Sequence, residues 1–382
     1  MGASVDEGVL MSGNASCDKI QQLLDRADVR INGDRPWDVQ VLHPDFYARL
    51  FAHGTMGLGE SYMDGWWECP AIDEMVHRAF RAGLADKLHC CQNRLHILKA
   101  RLSNRQKLSR AYQVGEHHYD IGNDLYERML DHRMIYSCAY WKEASSLDAA
   151  QEAKLELVCH KLGLEPGMHV LDIGCGWGGM AHFAAERHGV SVTGVTVSRE
   201  QAELARQRCQ GWPVDIRLQD YRTLTGKFDR ILSLGMFEHV GYKNYRTFMR
   251  TCRQLLTDTG LLLLHTIGSN QSACTIDPWI DRYIFPNAML PSASQISRAF
   301  DGLFVLEDWH NFGVDYDRTL IEWHTNLDTH WPRLEKKYGE RFRRMWRYYL
   351  LSCAGSFRSR ENQLWQIVLA PQGVSGGYQA PR

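Results

Sequence analysis

Three glycines alternate with other residues in VLDIGCGWGG, the stretch from Val170 to Gly179, where an apolar run gives way to a helix-forming one. Gly174, Gly176 and Gly178 carry no Cβ, so the backbone there can approach a ligand closely and take torsions that strain other residues. The helix that follows offers free N–H groups to a carboxylate or phosphate. Such a loop serves a dinucleotide or S-adenosylmethionine, or is a plain structural turn. The G-x-G-x-G spacing departs from the six-residue dinucleotide pattern. About 20 residues on, where a dinucleotide site needs an acid for its ribose, stands Gly194-Val195-Thr196. Asp172, just before the glycines, suits the methionine end of S-adenosylmethionine, and Asp220, after the third strand, suits its adenine amino group. The residues therefore favour a methyltransferase over a nicotinamide enzyme. The acid that most methyltransferases carry after the second strand is missing here. Thr196, Ser198 and Gln201 offer neutral hydrogen-bond partners instead.

Glu238 follows the fourth predicted strand and His265 ends the fifth. Taken singly, one is an acid at a helix N-terminus and the other a satisfied core histidine. At two successive strand ends beside a cofactor loop, they point together to proton transfer.

The elements that must hold these residues alternate from about residue 116 onward. Helices are predicted over 151–161, 179–188, 199–208 and 245–255, and strands over 168–173, 190–195, 214–218, 230–234 and 261–265. This rhythm implies an α/β fold, a Rossmann-like class I methyltransferase sheet with helices on both faces. Ligands of such sheets bind beyond the carboxyl ends of the strands. A small mixed N-terminal domain over residues 1–86 precedes it, with a helix over 20–27 and a strand-like stretch over 39–42. GLGESYMDGWWEC (Gly57–Cys69) reads as turn-rich, its Trp66 and Trp67 being core aromatics or membrane anchors. Residues 87–115 hold Lys87, Arg94, Lys99, Arg101, Arg105, Lys107 and Arg110 and no acid, with Cys91, Leu95, Leu98 and Leu102 at helical spacing. They predict a basic helical linker, lying on anionic lipid or packed on its own protein. Residues 116–382 form the catalytic domain.

Composition narrows the class. Hydrophobic residues at 44% and charged residues at 23% describe an ordinary globular chain, and a net charge of -1 gives no global basic field for nucleic acid. Eleven cysteines without C-x-x-C spacing read as free thiols of a reducing cytoplasm rather than a metal site. The first residues lack the apolar run of a signal peptide, and runs such as Leu261–Leu264 fall far short of the roughly 20 residues of a membrane span. Contact with a membrane would be made from its surface.

GLGESYMDGWWEC, YDIGNDLYERML, YSCAYW, VLDIGCGWGG, GVTVS-x-EQ, GMFEHVG, LLLHTIG, DPWIDRYIFPN and DWHNFG-x-DY occur in this order along nearly the whole chain. In these segments the chain closely resembles cyclopropane-fatty-acyl-phospholipid synthases, with mycolic-acid cyclopropane synthases as more distant relatives. The resemblance implies an enzyme that transfers the methyl of S-adenosylmethionine to a cis double bond of a phospholipid acyl chain and closes a cyclopropane ring. It implies cofactor contacts from Tyr136 and Ser137, from Val170, Leu171, Asp172, Ile173, Gly174, Cys175, Gly176, Trp177 and Gly178, and from Thr196, Val197, Ser198, Arg199, Glu200 and Gln201. It also implies a bicarbonate ion as proton acceptor, held by Cys138, Glu238, His265, Ile267 and Tyr316. An N-terminal lipid-binding domain, a homodimer and peripheral attachment to the inner face of the cell membrane belong to the same expectation. The family also carries a cysteine near Cys353. Direct methyl transfer needs no covalent enzyme intermediate, so that thiol is only a weak catalytic candidate.

The chemistry so implied is demanding. An alkene is a feeble nucleophile, its attack on a sulfonium methyl leaves a carbocation, and ring closure then removes a proton from the new methyl. The site needs a dry, cation-tolerant pocket and a base. Trp279, Tyr283 and Phe285, with Tyr140 and Trp141, are candidate ring faces for the positive charge, or simply core. Arg341–Tyr349 (RFRRMWRYY) is a second basic, aromatic stretch, for lipid or for the core. Methylation without ring closure, and a lipid carrier with a degenerate cofactor site, remain the competing readings.

Overall fold

A computed structural model of the chain describes residues 13–84 and 122–382, so the basic segment 87–115 lies outside the described residues. The first part comprises α1 (Gly13–Leu24), β1 (Gln40–Val41), α2 (Phe46–His53), α3 (Thr55–Met63), β2 (Trp67–Glu68) and α4 (Ile72–Arg81). After α5 (Asn123–Met129) and α6 (Leu147–Leu162) come β3 (His169–Ile173), α7 (Gly179–His188), β4 (Ser191–Thr196), α8 (Arg199–Arg208), β5 (Val214–Leu218) and β6 (Phe228–Leu234). The remainder runs α9 (Tyr245–Leu255), β7 (Leu256–Ser269), α10 (Pro278–Tyr283), α11 (Ala293–Phe300), β8 (Val305–Asn311), α12 (Val314–Tyr338), α13 (Glu340–Arg358) and β9 (Asn362–Ala370).

Seven strands form one sheet in the order β5-β4-β3-β6-β7-β9-β8. The first five are parallel, as the alternating pattern predicts, whereas β9 runs antiparallel to both β7 and β8. The sheet is therefore mixed. Each face has its own apolar layer. Val170, Val192, Leu232, Leu263 and Val368 meet α6 and α7 on one side. Leu171, Ile173, Ile231, Leu262, Leu264 and Ile367 meet α9 and α11 on the other, following the period of two. Ser146 caps α6 by accepting from Ala149 N–H, and Gly163 ends it in the left-handed region.

The N-terminal elements depart from expectation in one place. Gly57 to Met63, read as turn-rich, belong to α3. A Cβ on Gly57 would meet the Arg49 carbonyl oxygen at 2.4 Å, and one on Gly59 would meet Trp279 at 2.4 Å. These glycines mark close packing inside a helix rather than a turn. Trp67 is fully buried against Phe46 and Tyr62, while Trp66 stacks on His43 beneath Arg49. The basic stretch of α13 also faces its own protein. Arg341 pairs with Asp64, Arg343 with Asp328 and Arg344 with Glu68, and Trp346, Tyr348 and Tyr349 are buried. One apolar core runs without a break from Phe46 and Trp67 to Trp279, Trp346 and Cys138, joining the N-terminal elements to the helices of the larger part.

Candidate active site

Gly174, Gly176 and Gly178 all adopt positive φ, and Gly176 opens onto empty space. The loop bends beyond the end of β3 and α7 begins at once. Asp172 to Trp177 line a cavity at the carboxyl ends of β3 to β6, together with Tyr136, Ser137, Thr196, Val197, Gln201 and Asp220. Val170 and Leu171 do not reach it, being buried within β3, and a Cβ on Gly178 would meet Cys209 and α8 instead. Ser198, Arg199 and Glu200 also stay outside the cavity. Ser198 caps α8 by accepting from Gln201 N–H at 3.3 Å, Arg199 is exposed, and Glu200 lines a separate surface depression beside Asp124. Thr196 Oγ1 donates to Gln201 Oε1 at 3.0 Å, which fixes both side chains on the cavity wall.

Asp172 Oδ2 is buried with no hydrogen-bond partner among the described residues. Burial lifts its carboxyl to about 7, against the pull of the buried Lys154 ammonium. Asp220 lines the cavity with its oxygens engaged by Arg222 at 2.8 and 2.6 Å. An unsatisfied buried carboxylate beside an open glycine cradle suits a cationic ligand that also presents groups to backbone N–H. S-adenosylmethionine fits that description.

Glu238 stands in the turn after β6 and is 5% exposed. Its Oε1 accepts from Ile267 N–H at 2.6 Å, while Oε2 is buried without a partner among the described residues. Burial pushes this carboxyl up to about 7. His265, 1% exposed on β7, approaches Gln366 through Nδ1 at 3.4 Å, and its Nε2 likewise lacks a partner. Burial, aided by the charges of Lys154 and Lys161, drives its pKa well below the usual range, so the imidazole is neutral.

Cys138 is fully buried with its Sγ directed at the Ala139 carbonyl at 3.2 Å, and burial raises its thiol far above the usual range. Tyr316 packs on Phe357 and Trp323 with ring separations of 4.6 and 5.9 Å. Glu238 and Ile267 are thus brought together directly, with His265 two residues before Ile267 on β7. The Ile267 N–H, expected to face an ion, is already bound by Glu238.

Sequence reasoning missed Gln151, Lys154 and Gln366. Lys154 Nζ, fully buried, donates to Ser137 Oγ at 2.9 Å, and Gln151 Nε2 donates to Ser137 O at 2.9 Å. Both lie on the sheet-facing stripe of α6. Polar residues at core positions of an amphipathic pattern were the signal available.

A second cavity, about 560 Å³ and mainly apolar, lies between the N-terminal helices and the sheet. Leu24, Phe46 and Leu58 line it from one side, and Ile267, Phe285 and Cys353 from the other. Cys353 thus belongs to this cavity wall, and burial pushes its thiol up to about 12, which leaves no nucleophilic thiolate. The two cavities adjoin where Phe285, in the apolar wall, precedes Pro286, in the other. Tyr136 lies there, its ring 6.4 Å from Phe285 and 5.1 Å from Trp323, with its hydroxyl 2.8 Å from that of Tyr349. Trp279 also lines the apolar cavity. Tyr283 instead donates to Glu60, and Tyr140 and Trp141 contact Phe312 and Thr319 away from it. No helix among the described residues is long and apolar enough to cross a membrane.

Known proteins are similar to this chain in sequence and fold. Over 362 residues, 94% of each chain, the sequence is 53% identical to cyclopropane-fatty-acyl-phospholipid synthase of Escherichia coli K12. It is 33% identical over 363 residues to tuberculostearic acid methyltransferase UfaA1 of Mycobacterium tuberculosis, covering 87% of this chain and 83% of that one. Mycolic acid cyclopropane synthase CmaA1, solved with SAH and CTAB, superimposes with a TM-score of 0.64 at 30% identity, covering 68% of this chain and 97% of its own. Residues 106–367 match the family model of mycolic acid cyclopropane synthetases, so the chain belongs to that family and carries its class I methyltransferase fold.

Proposed function

We propose that this protein is an S-adenosylmethionine-dependent cyclopropane-fatty-acyl-phospholipid synthase. One observation carries the reading: a glycine-lined cavity holding the buried Asp172 carboxylate, whose Oδ2 is unpartnered among the described residues, adjoins a larger, mainly apolar cavity, and buried Glu238 binds the backbone of Ile267, which lines the latter. A phospholipid acyl chain suits the apolar cavity, since burying its methylenes is favourable at roughly 0.8 kcal/mol each. The N-terminal helices form half of that cavity and serve as the lipid-binding part. When bound, S-adenosylmethionine supplies an electrophilic methyl to the alkene.

The chain's own residues do the rest. Asp172 and the Gly174–Gly176 backbone hold the cofactor's amino-acid end. Tyr136, Phe285 and Trp323 surround the reacting carbons with ring faces that tolerate positive charge and keep water out. Glu238 Oε2 and His265 Nε2, an acceptor and a ring nitrogen buried without partners among the described residues, suit a small ion that both donates and accepts hydrogen bonds. Bicarbonate meets that requirement, and Glu238 and His265 would hold it as the proton acceptor, with Cys138 and Tyr316 closing the pocket.

Ala79 lines the apolar cavity and no part of the other. Ala79→Trp fills the cavity, so turnover of unsaturated phospholipid vesicles falls at least about tenfold while binding of S-adenosylhomocysteine by calorimetry is unchanged. Undiminished lipid turnover in a folded Ala79→Trp variant removes the acyl chain from this cavity.

A further inference from the structure

His265, Gln366 and His310 stand directly opposite one another on β7, β9 and β8. Gln366 is 0% exposed, in the middle of a sheet whose neighbouring layer on that face is apolar. Lys154 and Lys161, two turns apart on α6, are fully buried on the same side. A buried amide in such a place needs a partner to offset its desolvation.

His265 is a neutral imidazole and carries one N–H, on Nδ1 or on Nε2. Which nitrogen holds it depends on the hydrogen bond made by the other. The Gln366 side-chain nitrogen lies 3.4 Å from Nδ1, and an amide nitrogen only donates. Lys161 Nζ lies 3.2 Å from His310 Nδ1 and, having no lone pair, donates to it. His310 thus accepts at Nδ1 and keeps its proton on Nε2. The Gln366 amide oxygen is buried with no partner among the described residues, and the amide nitrogen is directed at His265.

We propose that Gln366 is a positioning residue that fixes His265 as the Nε2–H tautomer, so that the unpartnered Nε2 presents a donor to the reaction centre. Its consequence for turnover rests on the base-site reading above, but the tautomer itself does not. With the proton on Nδ1, Nε2 would present only a lone pair and could not donate to an oxyanion.

The test is ¹⁵N NMR of the full chain labelled at histidine, with the His265 signals identified by their loss in His265→Asn. Wild type should show a protonated Nε2 and an unprotonated Nδ1. In Gln366→Glu a carboxylate can only accept, so the proton should move to Nδ1. Turnover should then fall at least about tenfold, with S-adenosylhomocysteine affinity within about twofold of wild type. A wild-type spectrum with Nδ1 protonated overturns the proposal, as does a Gln366→Glu spectrum identical to wild type. The wild-type spectrum decides alone where Gln366→Glu does not fold. Full turnover in His265→Asn would remove the base-site reading and leave the tautomer assignment standing.

Discussion

Burial, with no opposing charge beside it, lifts Glu238 to about 7, and that sets two dependences on pH. Glu238 must be ionised to accept a hydrogen bond from an ion's O–H, so kcat for ring formation should climb as pH rises through about 7. The cofactor-bound complex is what kcat reports, and there Asp172 faces a cation and stays ionised. Stability runs the other way. The folded state holds a proton on Glu238 between the ordinary value of 4.5 and about 7, where the unfolded chain does not. Stability is therefore lost as pH rises through that window. Glu238→Gln should abolish the kcat limb, lower turnover by about a hundredfold, and flatten the fall of Tm between pH 5 and 8. A Glu238→Gln variant keeping wild-type turnover and an unchanged acidic limb would contradict this assignment. Glu238 and His265 were legible in sequence because strand ends beside a glycine loop are a narrow address. Lys154 and Gln366 were not, since a pattern that places a polar residue in the core does not name what it touches.

At the scale of elements, glycines were the ambiguous letters. The parallel strands and their helices follow from apolar periodicity, with α8 and β5 falling at the predicted residues. The antiparallel pair β9 and β8 was not legible, because strand direction is decided by long-range pairing that no local pattern encodes. Gly57 and Gly59 looked like turn residues for the same reason: the close approach that demands them comes from α2 and α10. Gly355 makes a third such contact. A Cβ there would stand 2.3 Å from the Asp73 carbonyl oxygen and 2.9 Å from Val76, both on α4. Gly355→Ala must push α4 from α13, which at an overpacking cost of about 1–3 kcal/mol should lower Tm by several degrees. Because α4 helps wall the apolar cavity, lipid turnover should fall while binding of S-adenosylhomocysteine persists. An unchanged Tm by scanning calorimetry would mean that the two helices do not pack this closely.

At the scale of the whole molecule, the apolar cavity exists only because the N-terminal helices lie against α10 and α13 in one continuous core. Its walls come from residues separated by most of the chain, so no stretch of sequence announces it. The resemblance implied a lipid-binding part, and the fold supplies a cavity that suits one. That cavity meets the cofactor cavity at Tyr136 and Phe285, where an alkene carbon and a methyl would face each other. Ring closure requires the transferred methyl to lose a hydrogen, whereas capture of the carbocation by water or hydride would keep all three. Purified protein should therefore be incubated with unsaturated phospholipid vesicles and S-adenosylmethionine deuterated at the methyl, and the released fatty acids read by gas chromatography–mass spectrometry. The account predicts a cyclopropane acid carrying a bridge of CD2. A branched product that retains CD3, or acyl chains without deuterium, would contradict it.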